Sequence, residues 1–134
     1  MGMPKLTSDQ AFDLAQSFHD LSVEIGNFRF LVHQDLTPAK RRQLEDLQFD
    51  VLNISTQFNA LSISLALDNL QEALDDISAA TEKMKKAIKR LKDVQKVVAI
   101  ATAAVTLGSA IISMNPGAIA SALGGVVTAV KPSN

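Results

Sequence analysis

The sequence predicts an all-α protein, and three observations carry the prediction. Apolar residues recur at steps of three and four along successive stretches, the spacing of one face of a helix with 3.6 residues per turn. Neither Gly nor Pro occurs between Ala39 and Leu107. The turn signals that do occur, Thr37-Pro38 and Asn115-Pro116-Gly117, fall where helical patterns stop. Together they predict an antiparallel three-helix bundle over 8–34, 38–65 and 68–95, followed by an apolar helical hairpin with arms 97–114 and 118–130. A chain of 134 residues is sized for one core. Residues 1–134 therefore read as a single helical domain, with 97–130 as a subregion.

The first helix opens at TSDQ, where Thr7 or Ser8 can cap and Gln10 completes a capping box with Thr7. Its stripe is Ala11, Leu14, Ala15, Phe18, Leu21, Ile25, Phe28 and Val32, and Phe30 and Leu31 are expected to widen it near the end. Gly26 costs about 1 kcal/mol relative to Ala inside a helix. In DLTPAKRR, Thr37 can cap the second helix, and Pro38 suits the first helical position, where a missing N–H matters least. So short a connection implies antiparallel neighbours.

The second stripe, Leu44, Leu47, Val51, Ile54, Phe58, Leu61 and Leu65, predicts Asp68 and Glu72 as the next core positions. Apolar residues resume instead at Leu67, Leu70, Leu74 and Ile77. This slip near residue 66 predicts a break with Asp68 capping a new helix, although one continuous helix can also absorb a slip. Each of the three helices then spans about 28 residues, roughly 42 Å at 1.5 Å per residue. A single helix over 38–113 would leave Leu70, Leu74, Ile77, Met84, Ile88 and Leu91 without an intramolecular partner, which favours the bundle. The third helix is polarised: Asp68, Glu72, Asp75, Asp76 and Glu82 come first, and a basic flank of Lys85, Lys86, Lys89, Arg90, Lys92 and Lys96 follows. That order suits a helix dipole, negative residues near the N-terminus and positive ones near the C-terminus.

From Val97 to Val130 there is no charged side chain. Asn115, Pro116 and Gly117 form the reversal: Pro fixes φ and disfavours helix in the residue before it, and Gly accepts left-handed geometry. The arms would span about 27 Å and 20 Å, against a hydrocarbon thickness of about 30 Å. Their large apolar residues are Val97, Val98, Ile100, Val105, Leu107, Ile111, Ile112, Met114, Ile119, Leu123, Val126, Val127 and Val130, the candidate membrane or partner surface. Lys96 and Lys131 put cations at both open ends of the hairpin. Small residues four apart, Ala99 with Ala103, Ala104 with Gly108 and Ala120 with Gly124, allow close helix approach in lipid or in water.

Other classes find little support. Cysteine is absent, which removes disulfides and thiol chemistry. A net charge of −1 and six Phe with no Trp or Tyr leave neither the field nor the stacking platforms of a nucleic-acid binder, so no nucleic-acid partner is expected. Phosphate-binding glycine loops, Glu-x-x-His pairs and Gly-x-Ser-x-Gly are missing. His19 and His33 would stand about 21 Å apart along one helix, too far to share a metal. The expectation is a non-enzymatic protein without cofactor or metal. The opening MGMPKLTSDQ lacks the apolar core of a secretory signal, so the expected location is cytoplasmic as synthesised, with membrane association after release under a membrane reading.

A bundle of long helices, a basic flank over 83–96 and an apolar hairpin with a tight reversal over 96–131 resemble the α-helical pore-forming toxins of the cytolysin A and haemolysin BL type. That resemblance is architectural. It implies a hairpin held against the soluble bundle that inserts into a bilayer as protomers assemble, although here the hairpin follows the long helices instead of lying between them. The function expected is thus that of a membrane-interacting, pore-forming component acting as a homo-oligomer or within a helical assembly. The alternative is a soluble interaction module whose Ala- and Gly-rich hairpin mediates self-association or partner binding.

Overall fold

Five α-helices account for nearly all of the residues that a computed structural model of the chain describes, 8–60, 70–90, 93–113 and 115–131, and no strand occurs among them. They are α1 (Ser8–Leu31), α2 (Pro38–Ala60), α3 (Leu70–Arg90), α4 (Val94–Ile112) and α5 (Pro116–Val130), with a short 3₁₀ turn, His33–Asp35, between α1 and α2. The expected break near residue 66, its Asp68 cap and the cap before Ser8 fall outside the described residues.

The α1–α2 connection follows from its sequence. Pro38 is the first residue of α2, and the Lys40 amide donates to Thr37 Oγ1 at 3.2 Å, so Thr37 caps as expected. Arg41 ties the connection down further by donating to the His33 carbonyl at 3.2 Å, and Leu36 is buried beneath it. The two helices lie antiparallel: Arg29 near the end of α1 meets Glu45 and Gln48 near the start of α2, and the buried Ser55 hydroxyl donates to the Ala15 carbonyl at 2.8 Å. A Cβ on Gly26 would sit 2.7 Å from the Gln48 side-chain amide, the far end of a flexible side chain that can move aside.

Ion pairs fix the direction of α3. Lys85 lies 3.5 Å from Asp20, and Lys89 lies 3.9 Å from Glu24. Moving one turn along α3 moves one turn along α1 in the same sense, so α3 runs parallel to α1 and antiparallel to α2. The chain has therefore reversed between α2 and α3, which rules out a single straight helix over 38–90.

The stripes read from the sequence are the core. Leu14, Phe18, Leu21, Ile25, Phe28 and Val32 of the first stretch, Leu44, Val51, Ile54 and Phe58 of α2, and Ile77, Met84 and Ile88 of α3 are all buried. Expected core positions at Ala11, Leu61, Leu65, Leu70, Leu74 and Leu91 lie outside what is described. Phe30 and Leu31 do not widen the stripe: they are 88% and 69% exposed. At 100° per residue, Phe30 lies about 200° around the helix from both Phe28 and Val32, on the side away from the core.

The helix neighbours differ from those of a three-helix bundle with a separate hairpin. α1 lies between α2 and α3, but α4, not α3, covers the other side of α2. α5 then packs on α4 and α3, closing a ring of five, and α4 touches all four other helices. Apolar periodicity says which face of a helix is buried and not which helix buries it, so this pairing could not be read from spacing.

Candidate functional site

The hairpin begins earlier than predicted. Asp93, the one acid in the sequence between Lys83 and Lys96, is the N-cap of α4: its carboxylate accepts from the amides of Gln95 and Lys96 at 3.0 and 3.3 Å. The third helix accordingly ends its described span at Arg90, and Lys96 belongs to the first turn of α4. The signal was present as an Asp three residues before a Lys that opens an apolar run. The reversal is tighter than predicted: Pro116 and Gly117 already belong to α5, which starts two residues before the expected arm at 118, and Gly117 takes no left-handed conformation. Asn115 caps α5 by accepting from the Ala118 amide at 3.1 Å, and Pro116 opens the helix. Such a cap contributes about 1 kcal/mol.

The two arms share one division of faces. Val97, Ile100, Ala101, Ala104, Leu107 and Ile111 of α4, with Ile119, Ala122 and Val126 of α5, are buried against the bundle. Val98, Val105, Ile112, Leu123 and Val130 flank this side half-buried, whereas Val127 is exposed. The expected Met114, like Lys92 of the basic flank, lies outside the described residues. The outer side is a shallow groove between the arms, about 790 Å³, lined only by Ala, Ser, Thr and Gly.

Its three threonine hydroxyls bond within their own helices. Thr102 donates to the Val98 carbonyl at 2.8 Å, Thr106 to Thr102 at 3.0 Å and Thr128 to Gly124 at 3.2 Å, each one turn back on its own helix. Neither side of the hairpin thus carries a charge, and these threonines meet their hydrogen-bonding needs internally.

The small-residue pairs divide in use. Ala104 and Gly108 face the bundle, and a Cβ on Gly108 would lie 2.6 Å from Ile54 Cγ2 and 2.8 Å from Cδ1, so α4 approaches α2 as closely as glycine permits. Ala120 and Gly124 do the opposite: Ala120 is exposed, and nothing lies within 4 Å of a Cβ placed on Gly124 or on its neighbour Gly125. Two adjacent glycines in the middle of α5 weaken the helix without allowing any close approach. Replacing each with Ala is expected to raise stability by about 0.5–1 kcal/mol, read as a rise in the urea midpoint. A fall instead would place a neighbour against α5.

The basic flank is not one uniform set. Lys85 is engaged by Glu82 at 3.0 Å and by Asp20 at 3.5 Å. Its pKa rises above the ordinary 10.5, chiefly through the hydrogen bond with Glu82 and against the effect of burial, so it is charged and already paired. Lys86, Lys89, Arg90 and Lys131 are exposed, and Lys96 is half-buried.

Among the described residues, α4 alone is long and apolar enough to cross a hydrocarbon layer, a length and composition that a core helix of a water-soluble bundle also meets. Comparison of the chain with protein-family models, with curated proteins and with solved structures found no match.

Proposed function

We propose that the protein acts on membranes by releasing the α4–α5 hairpin from the bundle into a bilayer. What carries this reading is the chemistry of the hairpin: no charge over 97–130, a continuous apolar side, and an opposite side whose threonine hydroxyls bond to their own helix. Moving such an element into hydrocarbon strands few polar groups, the usual barrier to insertion. The unused glycines of α5 keep its hold on the bundle modest. α1, α2 and α3 are the part left in water, and neighbouring protomers of a homo-oligomer cover the side of α2 that α4 vacates. α5, at 15 residues, spans about 22 Å, so the bilayer thins around the inserted hairpin. In this respect the protein works as the cytolysin A type of toxin does.

A covalent lock tests the reading. The chain has no cysteine of its own, and the contact of Gly108 with Ile54 brings these two positions within the reach of a disulfide. With Ile54→Cys and Gly108→Cys, the oxidised protein is expected to leave dye-loaded phosphatidylglycerol vesicles intact, and the reduced protein to empty them at least about tenfold faster. Equal leakage from both forms, or none from the unmodified chain, overturns the proposal.

A second reading rests on the outer groove of the hairpin, whose small residues would accept a helix of a partner or of a second copy. It predicts concentration-dependent association in solution that Ser121→Leu abolishes, with vesicles left intact throughout.

A further inference from the structure

The directions of the five helices gather charge at one end of the molecule. α1, α3 and α5 run toward that end, and α2 and α4 start from it. Lys40, Arg41 and Arg42 stand there at the start of α2, and Lys89 and Arg90 at the end of α3. Lys96 opens α4 there, and Lys131 follows α5. Acids on this end are fewer and mostly engaged: Asp93 caps α4, Glu45 pairs with Arg29 at 3.0 Å, and Glu24 lies 3.9 Å from Lys89, with Asp35 and Asp46 remaining.

Helix stability accounts for Lys89 and Arg90 in the last turn of α3 but not for the cations that open α2 and α4. Lys40 and Lys96 lie in the first turns of α2 and α4, where the helix dipole disfavours positive charge and where neither helix has an acid. The same end also carries the adjacent pair Phe30 and Leu31, 88% and 69% exposed, in the last turn of α1, next to a connection that Arg41 and Thr37 hold in place. An exposed apolar pair, with His33, Gln34 and Asp35 beside it, at an end of the bundle that carries more cations than acids, matches one surface in both respects: the cations of that end meet anionic headgroups, and the side chains reach the acyl boundary beneath.

We infer that this end docks on an anionic phospholipid surface, with Phe30 and Leu31 entering the interface. The inference deepens the membrane reading and rests on it for the nature of the surface. Docking here also sets the geometry of release. The open end of the hairpin, at Lys96 and Lys131, already faces the bilayer, and the reversal at Asn115 lies at the far end. A swing of α4 and α5 away from the bundle about their open end carries the reversal through the membrane and leaves both lysines among the near headgroups.

The test is sedimentation with phosphatidylcholine vesicles, with and without phosphatidylglycerol, using the oxidised Ile54→Cys, Gly108→Cys chain so that the hairpin cannot contribute. The locked chain is expected to bind only the anionic vesicles and to leave them as salt rises. Adding Phe30→Ser with Leu31→Ser should weaken binding by about tenfold or more, given the apolar area withdrawn from the interface, with helicity unchanged because both side chains are exposed. The exposed Phe49→Ser, on the flank of α2, should bind as before.

Binding indifferent to the Phe30–Leu31 pair or to lipid charge overturns the inference. So does a solution dimer that the pair substitution dissolves, which would assign the surface to a second copy. A locked chain that binds while the unlocked chain fails to leak leaves docking standing and removes hairpin insertion. Leakage by an unlocked chain whose locked form never binds does the reverse.

Discussion

Gly108→Leu is expected to destabilise the fold by more than about 3 kcal/mol, the overpacking of a close helix contact. For a chain of this size the melting temperature should fall by roughly 10 °C or more. A Cβ at this position already falls 2.6 Å from Ile54 Cγ2 and 2.8 Å from Cδ1, and leucine adds three further heavy atoms to the same space. Ile54 is itself buried and cannot swing into solvent. Gly108→Ala is the gentler probe. It gains about 1 kcal/mol of helix propensity and loses more than that to the clash, for a net cost of about 1 kcal/mol.

The neighbour decides the sign. In an Ile54→Ala background the atoms that a Cβ would strike are gone, so the same Gly108→Ala change should turn neutral or stabilising, a coupling of about 1–2 kcal/mol in a double-mutant cycle followed by urea denaturation. Additive costs would show that α4 and α2 do not meet at this point.

Phe58→Ala is the second large effect, expected to cost about 3–5 kcal/mol. Phe58 and Phe18 are fully buried, with ring centroids 5.2 Å apart and planes at 68°, an edge-to-face pair that joins α2 to α1. Removing one ring leaves a cavity and an unpartnered ring face. Phe18→Ala should cost about as much, and the two should couple by about 0.5–1.5 kcal/mol through the aromatic contact itself. Phe49→Ala, at a 53% exposed position, should stay within about 0.5 kcal/mol of the parent. Similar losses at all three positions would mean that the expected core face had been misjudged.

These contrasts mark what was legible in the sequence. Phe18, Phe28 and Phe58 lie on stripes of period 3.6, and burial follows from period alone. Thr37-Pro38 acts through local backbone chemistry, so the start of α2 could be read directly, whereas the same Pro logic at Asn115-Pro116 was read as a three-residue turn and put the start of α5 two residues late. Asp93 was missed because a charged neighbourhood hid a cap: in the run from Lys83 to Lys96 its role as counter-ion was the more visible one. Phe30 and Leu31 were assigned to the core by composition when their angle around α1 put them outside it.

The partner of each stripe was not legible at all. Nothing in the spacing of α2 says that Ile54 meets Gly108 and not a residue of α3, because that choice is made by the volumes of side chains far apart in the chain. For the hairpin, its apolar side, its reversal and its freedom from charge were all visible. The inward use of Ala104 and Gly108, against the open surroundings of Gly124, was not.

That α4 touches every other helix has a consequence for biosynthesis. The ribosome makes residues 8–90 before any of α4 exists, and at about 5–20 residues per second the span 94–130 takes several seconds more. During that interval the side of α2 that carries Ile54 lacks the α4 residues that bury it in the finished fold. Chaperones that hold exposed apolar stretches have their opportunity then. The core closes only when the most apolar part of the chain emerges, so any factor or membrane that captures the hairpin as it appears competes directly with completion of the fold.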